Sequence, residues 1–334
     1  MPSHSPAFLA ALTGLALALP PALHAQGYPA KPIRLVVPSL LVSSVDVSAR
    51  VLSVKLPEYL GQPVLLEPRP GHAMIAGSEA VSKAAPDGYT LLVIHDGGMV
   101  MNALSLKRTP DDALRDFTPL SLVSREPLAI VAQASTGARS IKELISSARN
   151  SPGKLNSASS NLAVTLAIEL FNTMAKTDIV AVPYKGIGEA LNSVLVGETH
   201  VGFVTLGGGA AAMKSDKVRV LALTSASRSA IFPDVPTVDE SGLPGYEMSG
   251  WVGLFGPPKL PAEIANRLTT ETRKAIAYPE IRGTLRRSYL EPVGSAAEDL
   301  GRALIEDMEK WTRVARVKEQ EGGRPPSWTY PQSD

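Results

Sequence analysis

Residues 33 to 46 read Ile33-Arg-Leu-Val-Val-Pro38-Ser-Leu-Leu-Val-Ser-Ser-Val-Asp46, and Val47, Val51, Leu52, Leu56 and Leu60 follow at helical spacing. The short apolar run predicts a buried strand and the spaced residues predict a helix. Strand, loop and helix in that order leave free backbone N–H groups at the carboxyl edge of a sheet, where open α/β folds bind ligands. The alternation continues along the chain. Candidate strands are 33–37, 64–67, 90–94, 128–132, 179–182, 201–204, 218–223 and 251–255, mostly nonalternating, as in parallel sheets covered on both faces. Ser140-Ile-Lys-Glu143 and Ser295-Ala-Ala-Glu298 predict capping boxes, the second opening a long helix through about Val317, and Pro261 suits a first helical turn. The fold class is α/β.

The N-terminus carries its own message. Ala7 to Leu19 is apolar, too short to span a bilayer, and is followed by Pro20-Pro21 and Ala22-Leu-His-Ala25. This predicts a signal peptide over 1–25, export to the periplasm and a mature start at Gln26. No later stretch reaches the roughly 20 apolar residues of a membrane span, so no stable membrane insertion is expected. The absence of cysteine excludes disulfides, thiolate catalysis and a lipid-modified cysteine. Lysine and arginine total 33 against 32 acidic residues, and no basic block is interleaved with aromatics, so nucleic acid is not an expected partner. Residues 321–334 lack periodicity and read as a loose tail.

Seven short segments stand in a fixed order: Arg34-Leu-Val-Val-Pro38, Leu60-Gly-Gln-Pro63, Ala85-Pro-Asp-Gly-Tyr89, Ala181-Val-Pro-Tyr-Lys-Gly186, Pro233-Asp-Val-Pro-Thr237, Gly242-Leu-Pro-Gly-Tyr246 and Glu291-Pro-Val-Gly294. In that order they resemble the Bug-type solute-binding proteins of tripartite tricarboxylate transporters, over roughly residues 27 to 320. The resemblance implies a periplasmic binding protein of type II-like form, with two lobes joined by a two-segment hinge. Lobe one would be 27–124 plus 248–320, and lobe two 125–247, with crossings near Arg125-Glu-Pro127 and Met248-Ser-Gly-Trp251. Hinge closure would trap a ligand in the cleft.

The loops that should hold that ligand depart from the family pattern. The family's Pro-Phe-x-Pro-Gly-Gly-x-x-Asp becomes Pro38-Ser39-Leu40-Leu41-Val42-Ser43-Ser44-Val45-Asp46. Pro38 and Asp46 carry over, the glycines do not, and Ser43 and Ser44 either donate hydroxyls or cap the next helix. The family's Arg-Pro-Gly-Ala-Gly-Gly-Asn-x-Gly becomes Arg69-Pro-Gly71-His72-Ala73-Met74-Ile75-Ala-Gly77. A third loop offers Ser159, Ser160, Asn161 and Thr165 but lacks the family histidine. The family's Met-Phe-Asp becomes Gly202-Phe203-Val204, ahead of Thr205. Tyr184, Lys185 and Gly186 are intact and would line the cleft from lobe two. Apolar side chains thus replace hydrogen-bond donors, and burying unpaired carboxylate oxygens is unfavourable by several kcal/mol on the order given for buried polar groups. The expected ligand is a small organic acid less polar than a di- or tricarboxylate.

The expected partners are that acid and the membrane permease subunits of a tripartite transporter. An alternative stays open: a periplasmic ligand-sensing or protein-interacting partner of a membrane sensor, with the cleft diverged or lapsed. Enzyme function is not expected, since the chain has no Gly-x-Ser-x-Gly elbow, His-Glu-x-x-His motif or phosphate loop. His95-Asp96 is the one adjacent pair resembling acid–base machinery, and its place after a strand can turn it toward the cleft. No catalytic residue, cofactor or metal site is assigned.

Overall fold

The computed structural model describes residues 27–39, 43–71, 74–101, 109–160 and 162–320; side chains of a few further residues at segment ends, and of 313–320, are not described. Leu40, Leu41, Val42, His72, Ala73, Asn161, the leader 1–25 and the tail 321–334 therefore lie outside the described residues.

One mixed sheet organises the chain. Its strands are β1 (Ile33–Val37), β2 (Val64–Pro68), β3 (Thr90–His95), β4 (Thr118–Gln133), β5 (Asn156–Ser159), β6 (Val180–Pro183), β7 (Val201–Thr205), β8 (Val218–Leu223), β9 (Ser249–Gly256) and β10 (Glu291–Pro292). The order is β2-β1-β3-β9-β4-β7-β5-β6, with β8 and β10 each also paired to β4. Pairs β1–β2, β1–β3, β5–β6 and β5–β7 are parallel, whereas β3–β9 and every pairing of β4 are antiparallel. Continuous burial along β3 and β9 reflects helices on both faces, not uniform parallel pairing.

β4 links two groups of strands. Residues Thr118 to Pro127 pair with β9, and Leu128 onward pairs with β7. The segment Arg125-Glu126-Pro127 lies inside this 16-residue strand, where the partner changes. Its first half carries Pro119, Ser121, Ser124 and Arg125, which have little β preference. Pairing with β9 holds it, and hydroxyl bonds add to that: Ser121 Oγ donates to Ser295 O at 2.9 Å, and Ser48 and Ser124 hydroxyls meet at 3.3 Å.

Helix boundaries follow their caps. Helix α1 (Ser44–Leu60) has Ser43 as N-cap, its hydroxyl accepting from Asp46 N at 3.1 Å, and Gly61 at φ 74° closes it. Ser140 caps the helix Ile141–Asn150 by accepting from Glu143 N, but Glu143 reaches back to Arg139 N, at 2.7 Å. The second expected box does not form. Ser295 Oγ accepts from Leu122 N at 3.0 Å, which ties the entry of the helix Ala297–Gln320 to β4. Pro261 is the N-cap of the helix Ala262–Ala277.

Three apolar clusters pack the layers. One joins β1, β3 and β9 to α1 and the helices 262–277 and 279–287. A second joins Leu144, Phe171, Phe203 and Tyr246 to Trp251, Leu304 and Trp311, and so runs across both strand groups. The third lies under β7, β8 and the helix Ile187–Val196.

Candidate functional site

Carboxyl ends of β3, β5 and β7 converge with the start of β9 on the place where β4 changes partner. A cavity of about 880 Å³ opens there, a size usual for small-molecule sites. Its walls come from the first turn of α1 (Ser43, Ser44, Val47), from the residues after β3 (His95, Asp96, Gly97, Gly98) and from Glu126-Pro127-Leu128 of β4. Opposite stand Ser160, Ala163 and Val164, then Ile187 and Ala190, then Phe203 to Gly207. Met74, Met248, Gly250 and Ser288 to Leu290 complete it.

Of the residues singled out in the sequence, Ser43, Ser44, Met74, Ser160 and Thr205 meet at this cavity. The other described ones are not among its lining residues. Ser39 shares a hydroxyl bond of 2.8 Å with Ser43. Asp46 is buried in α1 and accepts from Arg50 Nε at 2.9 Å. Gly71 is exposed, and its carbonyl accepts from Met74 N at 3.2 Å. Ser159 and Thr165 bond each other through their hydroxyls at 2.7 Å. Tyr184 N donates to Ser159 O at 2.8 Å, exposed Lys185 donates its N–H to Glu189, and Gly186 is the N-cap of the helix whose first residue, Ile187, lines the wall.

Ser43 both caps helix α1 and lines the cavity. Met74 occupies the left-handed region at φ 64° as N-cap of helix α2 (Ile75–Ser82), a conformation that glycine adopts without strain. Its side chain packs against the two larger apolar clusters, and Gly98 makes room for it: a Cβ there would lie 2.7 Å from Met74 Sδ. Met74→Gly should thus keep stability within about 1 kcal/mol of the parent, since relief of strain offsets lost burial. The same variant should bind apolar ligands about tenfold more weakly by calorimetry, the thioether contact being gone. Unchanged affinity would show that Met74 does not touch the ligand.

Sequence reasoning marked Glu126 only as part of a lobe crossing and had no signal for Ser288, Tyr289 or Leu290. Glu126 and Tyr289 arrive from distant segments. Tyr289, at φ 61°, stacks on Phe232 at 6.5 Å and packs on Gly207, which joins the 288–290 segment to the β7–β8 side of the cavity. His95-Asp96 does face the cavity, with His95 Nδ1 3.7 Å from Asp96 Oδ1.

Electrostatically the wall is acidic. Burial, then Asp307 and Glu126 nearby, push Asp96 up to about 8, although backbone N–H groups of Gly97 and Trp251 hydrogen-bond to it. Burial also raises Glu126, opposed by a hydrogen bond from Ser44. Desolvation pulls His95 down to about 4, so it is neutral near pH 7, and its Nδ1 accepts from Gly98 N at 3.2 Å. A neutral imidazole beside a protonated carboxyl has no polarised pair with which to activate water. Among the described residues no group of three histidine, aspartate or glutamate side chains is placed to hold a metal.

A family model described as the tripartite tricarboxylate transporter family receptor matches residues 48–319. A UPF0065 protein from the tcbD–tcbE intergenic region of a Pseudomonas strain is 34% identical over 310 residues, covering 91% of this chain and 92% of its own. Protein BugT of Bordetella pertussis is 31% identical, covering 87% and 90%. Among solved structures, an R. palustris protein with adipate superposes with a TM-score of 0.67 at 31% identity, over 87% of this chain and 98% of that one. MatC from Rhodopseudomonas palustris, with bound malate, gives 0.64 at 27% identity, over 86% and 99%. A ligand-free TctC solute-binding protein from Polaromonas gives 0.78 at 22% identity, over 87% and 99%, a likeness of fold alone.

Proposed function

This chain belongs to the tripartite tricarboxylate transporter receptor family, solute-binding receptors of periplasmic-binding-protein fold rather than enzymes, and from that premise we propose that its cavity captures a small organic acid with an apolar body and a single carboxylate. The observation that carries this reading is the wall itself. Val47, Met74, Leu128, Val164, Ile187, Phe203, Val204, Leu206 and Met248 surround a body of about 880 Å³, and the described lining holds no lysine or arginine to pair with a second carboxylate. Relatives solved with adipate and malate support a carboxylate as the common chemical feature. The first carboxylate would meet the hydroxyls of Ser43, Ser160 and Thr205.

Capture would proceed by closure. The two strand groups joined at Glu126–Leu128 act as lobes, one comprising 27–124 with 248–320 and the other 125–247. The Tyr184-Lys-Gly segment would carry Ile187 toward the opposing wall. The protein acts in the periplasm, delivered there by residues 1–25, and hands its ligand to membrane permease subunits. Among the described residues no helix is long and apolar enough to cross a membrane.

Thermal denaturation against a panel of aromatic, branched and dicarboxylic acids tests the reading. A ligand that binds only the folded state raises the transition, by about 2.7 kcal/mol at a hundredfold excess over Kd. Aromatic or branched monocarboxylates should stabilise. Strong stabilisation by citrate or malate, with none by monocarboxylates, would refute the apolar-body reading.

A further inference from the structure

Two carboxyl groups face the cavity, and among its described lining residues there is no lysine or arginine. Asp96 follows β3, and Glu126 stands opposite Gly250 in the β4–β9 ladder. Gly250 separates them. A Cβ there would lie 3.4 and 3.5 Å from the two carboxylate oxygens of Asp96 and 3.6 Å from Glu126 Cβ, so the missing side chain leaves a gap bordered by both acids. Glu126 Oε1 is sealed from solvent and has no hydrogen-bond partner. We propose that this gap receives a positively charged amine, so that the ligand is an ammonium-bearing molecule with an apolar body.

This rests on the reading of the cavity as the solute site and names the ligand group that the acidic end selects. A buried acceptor without a donor is unfavourable, and a bound ammonium supplies the missing donor together with the compensating charge. The surroundings already point donors at the acids. Backbone N–H groups of Gly97 and Trp251 reach Asp96, and Ser44 reaches Glu126. Among the described residues no neighbouring cation takes the ammonium's place. His95 is neutral near pH 7, and buried Asp307, the remaining acid near Asp96, is held by Trp251 Nε1 at 2.7 Å and Lys310 Nζ at 3.1 Å.

The opposite polarity, with protonated carboxyls donating to a ligand carboxylate, differs in the sign of its pH response. An ammonium binds the ionised acids, so it displaces a proton and binds more tightly as pH rises. A carboxylate accepting from the protonated acids binds more weakly as pH rises.

Calorimetry on the protein with three probes of one phenyl body separates these cases: L-phenylalanine, 2-phenylethylamine and 3-phenylpropanoate, each at about pH 6 and pH 8. At least one amine-bearing probe should bind about tenfold or more tightly than 3-phenylpropanoate, with affinity increasing toward pH 8. Glu126→Gln and Asp96→Asn should each erase that preference, with thermal unfolding of the ligand-free variants reporting a folded protein. Equal or tighter binding of 3-phenylpropanoate, affinity falling toward pH 8, or a preference that survives both substitutions would overturn the proposal and leave organic-acid capture standing. Silence from all three probes would also overturn it, and the acid panel would then decide solute capture separately.

Discussion

Replacing Trp251 with alanine should destabilise the protein by about 3–5 kcal/mol, the range for removing a large aromatic side chain from a packed core. Trp251 is fully buried in the cluster that runs across both strand groups and packs on Phe255 at 6.2 Å. Its indole N–H donates to Asp307 Oδ2 on the helix Ala297–Gln320. The alanine variant therefore opens a void and leaves a buried carboxylate short of a donor. Thermal unfolding should shift down by on the order of 10 °C. Trp251→Phe isolates the second effect: most of the apolar contact is kept, and the loss should be about 1–3 kcal/mol from the unpaired oxygen. A phenylalanine variant as unstable as the alanine variant would mean that the hydrogen bond, not the packing, fastens this helix to the sheet.

The second large effect concerns binding. Gly250→Phe should abolish ligand capture, weakening it a hundredfold or more, an effect of about 2.7 kcal/mol. Its Cβ would meet neighbours only at ordinary contact distance, 3.4–3.6 Å, so the backbone can hold the side chain where the glycine stands. The ring would then occupy the gap bordered by Asp96 and Glu126. Circular dichroism and thermal unfolding should report a folded protein, while titration with any ligand found in the acid panel should give no heat. Full affinity in this variant would put the ligand elsewhere.

The sequence carried much of the frame because several strands announce themselves chemically. Ile33–Val37, Thr90–Ile94, Val201–Val204 and Val218–Leu223 are runs of buried apolar residues ending at turn or helix signals, and each forms a strand within one residue of its expected bounds. The first half of β4 and all of β5 were not visible in the same way. Serines, prolines and Asn156 become strand there through pairing with β9, β6 and β7, a tertiary effect that overrides weak local preference. Likewise Ser295-Ala-Ala-Glu298 has the composition of a capping box, but Leu122 N competes for the serine hydroxyl.

Legibility of the site divides on the same principle. Ser43, Ser44 and Thr205 follow strands that could be recognised, so their arrival at the carboxyl edge was predictable. Glu126 lies in the unrecognised part of β4, and Tyr289 comes from a left-handed turn between a helix and a two-residue strand. Neither position carries a local pattern that sets it apart. The exchange of family glycine for Met74 pointed to an apolar wall, and Met74 does line the cavity, held in a left-handed conformation that glycine favours. Ile75, its neighbour in that exchange, remains 38% exposed and is not among the lining residues.

The most direct test of solute capture is a crystal structure of the protein grown with the ligand that stabilises it most in the thermal panel. The account predicts difference density for one molecule per chain beside Gly250, its apolar body against Met74, Phe203 and Val204. Density for that molecule only on the outer surface, with the space among these residues empty, would contradict it.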